Sequence, residues 1–211
     1  MLVGNRMTKH PVTITSEELL SQAKEKMAAG RFRRLPVMSD GKLTGIITDR
    51  DLRQYAGVLE HTKVNAVITE KPITVGPETM VEDAADIMLK NQIGGLPVLH
   101  QGQLVGIITT SDVMQAFLDV MGASEGASAR IDFTLEGEEH GLVEASRIVS
   151  REAGEVLGVG TYRENFGANP VCYLRVLSRN ANAIAKALRR SGFEVLGVHE
   201  TGTETGMRAA G

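Results

Sequence analysis

The chain has 211 residues, of which 42% are hydrophobic and 23% charged, a composition typical of one large or two modest globular domains. Its net charge of -3 argues against a nucleic acid as partner, because proteins that bind the phosphate backbone need an excess of basic residues. The single cysteine excludes an internal disulfide, and we find neither a signal peptide nor an apolar run of the roughly 20 residues that span a bilayer. A cytoplasmic location without a membrane partner is therefore expected.

An internal repeat organises the first half of the chain. Shifting the sequence by 61 residues superposes residues 7–52 on residues 68–113 without a gap, with 16 identities in 46 positions. A repeat of this length indicates a supersecondary unit that packs against its own copy. The first half is therefore expected to be one pseudo-symmetric module.

Each copy predicts a short strand, a helix, two strands around a turn, and a second helix. A capping box of Thr15 and Glu18 is expected to open the first helix, and Pro77 is expected at the first position of its counterpart. The second helices are predicted to begin at Asp49 and Thr110. The predicted strands are 12–14, 35–38 and 43–48 in the first copy, and 73–75, 96–99 and 104–109 in the second.

The most distinctive pattern in each copy is Leu-Pro-Val, a turn containing glycine, and Gly-Ile-Ile-Thr-x-x-Asp, at 35–51 and again at 96–112. This pattern resembles tandem cystathionine β-synthase (CBS) repeats over roughly residues 1–120. The resemblance implies a CBS pair formed by residues 1–60 and 61–121. It also implies that AMP, ADP, ATP or a related adenosine compound binds between the repeats as a regulatory ligand, and that the pair dimerises as a disc.

The Thr-x-x-Asp end of the pattern is the first candidate for ligand contact. Thr48 stands where a strand becomes a helix, so its hydroxyl can cap backbone N–H groups at a helix end that also favours phosphate. Asp51, three residues later, can accept hydrogen bonds from a ribose diol. The resemblance implies the ribose role for Asp51 and Asp112, and a place near sugar and phosphate for Thr48 and Thr109. The alternative is a plain capping motif.

Basic residues precede the Leu-Pro-Val strand in one copy alone. Arg33 and Arg34 stand there in the first copy, and two glycines take their places in the second. The resemblance implies that these arginines bind phosphate, which guanidinium groups hold through bidentate contacts. We expect Arg33 and Arg34 to act with Thr48 and Asp51, unless they form only a solvated basic edge. The second site would then hold a nucleoside, borrow arginines from elsewhere, or stay empty.

The remainder of the chain predicts a second domain. A stretch of small residues at 122–129 is typical of a linker, and residues 201–211 are expected to be a flexible tail. The order of elements between them is βαββαβ, which is ferredoxin-like and makes the expected fold class α/β (α+β). The predicted elements are strand 130–135, helix 142–152, strands 156–163 and 171–177, helix 181–191 and strand 195–199.

The segment His-Gly-Leu-Val-Glu-Ala at 140–145, followed by Ala-Gly-Glu-Val-Leu-Gly-Val at 153–159, resembles the ACT domain over residues 130–200. That family is a regulatory module that often pairs its sheets, and the loop holding Gly141 would approach an amino-acid ligand. Glycine permits such close approach of the backbone. Because Glu138, Glu139 and His140 stand where Asp and Pro are frequent, two roles remain open: an amino-acid site at Gly141 and dimerisation alone.

Catalytic chemistry is not expected. The five histidines are scattered without metal-ligand spacing, and Cys172 lies in a strand pattern that favours a buried, inert thiol. We therefore expect no enzyme, no metal and no catalytic cofactor. The favoured hypothesis is a homodimeric regulatory sensor that signals through the ACT-like domain, an order resembling stand-alone bacterial CBS proteins of acetoin utilisation. The alternative is a structural dimerisation protein with unoccupied clefts.

Overall fold

Two compact units, Met1–Ala116 and Phe117–Gly211, make up the chain. The computed structural model describes residues 1–124, 128–134, 141–152, 154–163, 165, 169–177 and 180–201. Residues 125–127 of the predicted linker and 202–211 of the predicted tail lie outside the described residues.

The first unit alternates short strands, hairpins and helices, as the repeat predicts. Its last helix, α4, continues into the second unit. The elements are β1 (Thr8–Lys9), β2 (Ile14–Thr15), α1 (Leu20–Gly30), β3 (Arg34–Ser39), β4 (Lys42–Thr48), α2 (Asp49–Gln54), β5 (Thr69–Glu70), α3 (Val81–Lys90), β6 (Gly95–His100), β7 (Gln103–Thr109) and α4 (Thr110–Val120), with 3-10 turns at Val3–Asn5 and Val64–Ala66.

The two repeats exchange their leading strands. The sheets have the orders β2-β3-β4-β5 and β1-β7-β6, so the first strand of each repeat pairs with the sheet of the other. Thr8 lies opposite Ile107, and Thr69 lies opposite Ile46, in antiparallel register. Both members of the second pair lie 61 positions from their counterparts in the first. The predicted pseudo-symmetric module is therefore present.

The unusual backbone conformations are duplicated as well. Left-handed φ angles are rare outside glycine, so their recurrence at fixed spacing is strong evidence for a common fold. The two hairpins have positive φ at both central turn residues, as the twist of a two-residue hairpin favours. The pairs of left-handed residues are His10 and Lys71, Arg31 and Gln92, Asp40 and Gln101, and Gly41 and Gly102.

The first helix of each repeat begins later than predicted. Thr15 N–H does donate to the Glu18 carboxylate at 2.7 Å, but this bond closes a separate turn, and α1 begins at Leu20. Likewise Pro77 precedes the first residue of α3, Val81, by four positions.

The cause of the late start is tertiary. The carbonyl of Glu18 accepts a 2.9 Å hydrogen bond from Val64, and the carbonyl of Thr79 accepts a 2.8 Å bond from Val3. In each repeat a 3-10 turn from the opposite leading segment therefore holds the chain extended just before the helix. A local capping signal cannot show a partner that comes from the other repeat.

Each repeat has its own apolar core between its sheet and helices. Leu20, Ala23 and Met27 of α1 form a buried helix face, whereas Leu19, just before the helix, is only partly buried. The first core contains Ile14, Leu20, Ala23, Met27, Leu35, Val37, Ile47, Leu52 and Val64. The second contains Val3, Val75, Val81, Ala84, Met88, Leu96, Val98, Ile108 and Ala116.

The second unit has the predicted βαββαβ order. Its sheet is antiparallel with the order β11-β8-β10-β9, and both helices pack against one face. The strand predicted from Arg130 begins two residues earlier, at Ser128. The elements are β8 (Ser128–Thr134), α5 (Gly141–Arg151), β9 (Glu155–Tyr162), β10 (Val171–Leu177), α6 (Ala181–Arg190) and β11 (Val195–Thr201).

The other face of this sheet carries polar side chains and contacts the residues that follow α4. Arg130 Nε lies 2.7 Å from Asp132 Oδ1, and its guanidinium stacks on Tyr173, 4.6 Å from the ring centroid. A Cβ at Gly158 would lie 3.0 Å from the backbone of Met121, so a larger residue would require this backbone to move by a few tenths of an ångström. Within the second unit, the end of α4 is therefore fixed against β9.

Cys172 offers a chemical probe of this unit. Its side chain is fully buried in the core between sheet and helices, and burial, with a contribution from Asp132, raises the pKa of its thiol. Both effects suppress the reactive thiolate. We expect Ellman's reagent at pH 8 to react with the native protein on the order of a hundredfold more slowly than with the urea-unfolded chain. Equal rates would contradict the buried placement.

Candidate functional site

A cavity of about 630 Å³ opens between the two repeats of the first unit. One wall comes from the first repeat, namely the segment around β1 and the chain between α1 and β3. The opposite wall comes from the second repeat, where β7 passes into α4. The lining residues are Thr8, His10, Pro11, Val12, Arg31, Phe32, Arg33, Arg34, Pro36, Ile107, Thr109, Thr110, Ser111 and Asp112.

The junction of β7 and α4 supplies a carboxylate and a hydroxyl. Oδ2 of Asp112 accepts hydrogen bonds from the backbone N–H of Thr109 at 2.8 Å and from its hydroxyl at 2.7 Å. The capping motif that the sequence analysis gave as the alternative to ligand contact is therefore present. The motif uses one carboxylate oxygen; within the described part of the chain no hydrogen bond to Oδ1 is formed. Asp112 can therefore cap the helix and still accept a bond from a ligand.

Thr48 and Asp51 repeat this geometry at the junction of β4 and α2. Oδ2 of Asp51 accepts from the backbone N–H and the hydroxyl of Thr48 at the same 2.8 and 2.7 Å. Asp51 is partly exposed rather than sealed in an apolar interior. Both junctions therefore retain a carboxylate that is accessible to a polar ligand.

Three arginines line the opposite wall of the cavity. Arg31 and Arg33 are exposed, and Arg34 is half-buried. Among the residues that the structure describes, these three guanidiniums form no hydrogen bond or ion pair, and Asp112 is the one carboxylate in the lining. The cavity therefore carries a net positive charge, which favours an anionic ligand.

Arg34 is the most desolvated of the three. Burial lowers the pKa of its guanidinium, Asp49 opposes this effect, and the neighbouring charge of Arg33 lowers the pKa further. A guanidinium in this position remains charged, since its ordinary pKa is far above neutrality. An anion in the cavity would offset both the cost of burying the Arg34 charge and its repulsion with Arg33.

The structure groups the candidate residues differently from the sequence expectation. Arg33 and Arg34 line the cavity with Thr109 and Asp112, whereas Thr48 and Asp51 are not among its lining residues. This cavity therefore does not contain the predicted combination of these arginines with the first Thr-x-x-Asp motif. The physical reason is that this cavity combines the strand entry of the first repeat with the helix start of the second. Of the three options left open for the second motif, the cavity matches arginines borrowed from elsewhere.

Sequence reasoning missed several lining residues. Thr8 and Pro11 are identical to their counterparts 61 positions later, a signal that could have marked the leading segment as part of a site. Arg31 could not be singled out, because its place on the rim depends on a left-handed backbone with φ of 53°.

The other Thr-x-x-Asp motif has a different charge environment. At the positions equivalent to Thr110 and Ser111, α2 has Asp49 and Arg50, and Asp49 forms a 2.8 Å ion pair with Arg53. The positions equivalent to Arg31, Arg33 and Arg34 are Gln92, Gly94 and Gly95. The helix start of this motif therefore has one carboxylate and one guanidinium, Asp49 and Arg50, and the positions equivalent to the three cavity arginines are uncharged.

Gly141 is the candidate residue of the second unit. It is the first residue of α5 and is buried, and the segment 135–140 before it, including Glu138, Glu139 and His140, lies outside the described residues. An open groove of about 600 Å³ follows the outer face of α5, but Gly141 does not line it. The groove is lined by Leu142, Val143, Ser146, Arg147, Ser150 and Arg151.

The described ranges contain neither a cluster of metal-ligating residues nor a membrane-spanning helix. No group of three or more His, Cys, Asp or Glu residues in these ranges could hold a metal ion. None of the helices there combines the length and the apolar character needed to cross a bilayer.

Comparison with known proteins gives the family of the first unit. Residues 3–57 and 64–119 match the CBS domain model. A CBS domain-containing protein of Dictyostelium discoideum is 35% identical over 136 residues, which are 57% of this chain and 94% of the relative. Inosine-5'-monophosphate dehydrogenase of Korarchaeum cryptofilum is 36% identical over 103 residues, but these span 48% of this chain and only 21% of the enzyme.

Solved structures resemble the same part of the chain. A putative acetoin utilization protein (AcuB) of Vibrio cholerae gives a TM-score of 0.53 with 31% identity, covering 59% of this chain and 95% of that protein. A CBS-domain pair in complex with 5'-methylthioadenosine and S-adenosyl-L-methionine gives 0.52 with 28% identity, covering 56% and 95%. CBSX2 in complex with AMP gives 0.51 with 26% identity, covering 56% and 97%.

The two caps provide a matched pair of substitutions. Thr109→Ala and Thr48→Ala each remove a hydroxyl that bonds to the helix carboxylate at 2.7 Å, so each is expected to lower the free energy of unfolding by about 1 kcal/mol. The measurement is urea denaturation. Thr110→Ala, an exposed change one residue later, is the control; a loss at Thr109 no larger than at Thr110 would argue against the cap.

Proposed function

This chain belongs to the CBS-domain family, and we propose that it is a non-catalytic regulatory protein whose CBS pair binds an adenosine nucleotide as its signal. The ligand class is AMP, ADP, ATP or a related adenosine compound, acting as regulatory ligand and not as catalytic cofactor. The observation that carries the proposal is the cavity between the repeats, which combines three guanidiniums with a helix-start carboxylate. Neighbouring CBS-domain structures contain AMP, 5'-methylthioadenosine and S-adenosyl-L-methionine, which share the adenosine group.

We assign the parts of the nucleotide by their chemistry. Asp112, with Oδ1 available, accepts the ribose hydroxyls beside Thr109, as a carboxylate can accept two hydrogen bonds from a diol. Arg31, Arg33 and Arg34 bind the phosphates, which also lie favourably at the positive end of α4, a helix of 11 residues. The adenine ring packs against the apolar part of the wall, which contains Val12, Pro36 and Ile107.

Thr48 and Asp51 form the counterpart of this site in the other cleft. Their carboxylate geometry is the same, so a ribose can be bound there too. The positions equivalent to Arg31, Arg33 and Arg34 are uncharged, and at the helix start the charge of Asp49 opposes that of Arg50, so a phosphate is less favoured here. We propose that it is the weaker site.

Signal transfer is proposed to run along α4. This helix begins at the nucleotide cavity, and its chain continues into the second unit, where Met121 and Gly122 contact β9. An ACT-like role for the second unit rests on its βαββαβ order and on Gly141 at the start of α5. Ligand binding can shift such a unit only by as much as its affinities for the two states differ.

A homodimer is proposed for the assembly. Helix α4 exposes Met114 at 58%, Phe117 at 54% and Leu118 at 37%, residues that share one face at helical spacing. A second copy of the chain would cover these apolar side chains. The alternative function is dimerisation alone: the chain would then be a structural protein whose clefts hold no ligand.

Nucleotide binding is tested with a matched pair of variants. Asp112→Asn should weaken binding of ADP and ATP about tenfold or more, because the amide oxygen is needed by the Thr109 N–H and an NH2 donor then replaces the proposed ribose acceptor. Asp51→Asn makes the same change at the equivalent position of the other cleft and should leave this affinity within about threefold. Isothermal titration gives the affinities, and unfolding curves check that both variants fold.

The wild-type protein should also gain about 2.7 kcal/mol of stability at a ligand concentration of 100 Kd. Thermal-shift screening with AMP, ADP, ATP, S-adenosylmethionine and NADH covers the plausible adenosine ligands. No shift with any of them would overturn the sensor proposal and favour the structural role.

The dimer makes a separate prediction. Light scattering after gel filtration should give twice the chain mass of 22.7 kDa. Phe117→Asp should shift the mass toward that of one chain, since it buries a charge in the proposed interface. Leu89→Asp, at a residue of α3 that is 78% exposed, is the control and should leave the dimer intact. A wild-type protein that remains monomeric would refute the proposed assembly.

A further inference from the structure

The side chain of Arg34 crosses from its own repeat onto the other. A Cβ built on Gly94 would lie 2.6 Å from Nη2 of Arg34, and a Cβ on Gly95 would lie 2.9 Å from its Cδ. Real side chains do not approach so closely, so the two glycines leave the space that the Arg34 side chain occupies. The three atoms nearest to such a Cβ on Gly94 all belong to the Arg34 side chain, with no backbone among them.

Symmetry explains why the space is needed. Arg34 and Gly95 are equivalent positions, 61 residues apart, and they meet where the two repeats face each other. Arginine at both positions would bring two long cationic side chains into one volume. One repeat therefore carries the guanidinium, and the other has no side chain there.

The space left by Gly94 and Gly95 places the Arg34 guanidinium beside the start of α4. The carbonyl of Gly94 accepts a 3.1 Å hydrogen bond from the backbone N–H of Thr110, the first residue of that helix. The Arg34 guanidinium, which lies against Gly94, therefore stands next to the positive end of the helix dipole. Burial lowers the pKa of Arg34, as expected for a cation held away from water without a bound anion.

The number of guanidiniums exceeds what one phosphate can pair. At pH 7 the single phosphate of AMP carries at most two negative charges, whereas three guanidiniums carry three positive charges, so a second phosphate adds a favourable charge interaction. We propose that Gly94 and Gly95 seat Arg34 so that the cavity selects adenosine nucleotides with two or more phosphates over AMP. This inference rests on the proposed nucleotide function and adds the class of nucleotide and the residues that determine it.

The test compares ADP with AMP by isothermal titration of the full chain. The wild-type protein should bind ADP about tenfold or more tightly than AMP. Gly94→Val should displace the guanidinium and weaken ADP binding more than AMP binding, so that the preference falls to about threefold or less. Arg34→Met should do the same, and the double variant should lose no more than either single variant, because both act through one group.

Gly57→Val is the control, since a Cβ at Gly57 would meet no atom within 4 Å and its backbone is not left-handed. It should retain the preference for ADP. Gly94→Ala is the smaller change if the valine variant unfolds, and thermal melting checks each protein. A wild-type chain that binds neither nucleotide overturns the proposed function. A chain that binds both but keeps its ADP preference in Gly94→Val and Arg34→Met overturns this inference alone.

Discussion

The exchange of leading strands between the repeats is the constraint on which the nucleotide cavity depends. β1 completes the sheet of the second repeat and β5 that of the first, so neither sheet is complete without the other repeat. The same exchange brings the leading segment of one repeat to the helix start of the other. The cavity wall around His10 and Pro11 thereby faces Thr109 and Asp112. A binding site between the copies is thus a direct result of how the copies complete each other.

Similar geometry and different charge coexist in the two halves. The caps at Thr48 and Thr109 match in their bond lengths because each copy folds by the same local rules. The electrostatics differ because three positions at or just before the start of the strand are basic in one copy and uncharged in the other. The duplicated framework therefore sets where a ligand can lie, and the diverged residues set which ligand is favoured.

The sequence predicted the elements whose signals are local and missed those that depend on partners. The hairpins, the second helices at Asp49 and Thr110, and the βαββαβ order follow from periodicity and turn residues, and the structure has them. The starts of α1 and α3 were wrong because residues of the opposite repeat hold the preceding chain extended. The cavity contains Arg33 and Arg34 with the second motif, whereas the sequence predicted the first, because sequence adjacency does not show which helix start of the other repeat faces a segment. Nothing local could have shown that Gly94 accommodates Arg34.

The left-handed backbone at Arg31 lowers the stability of the fold, while the arginine side chain there favours ligand binding. A side chain costs roughly 1–2 kcal/mol in this conformation, and at the end of α1 glycine would adopt it without that strain. Arginine there keeps a cation on the cavity rim at the expense of the helix terminus. Selection for thermal robustness alone would therefore be expected to erode the charge of the rim, and a heat-adapted variant with glycine at this position would trade ligand affinity for melting temperature.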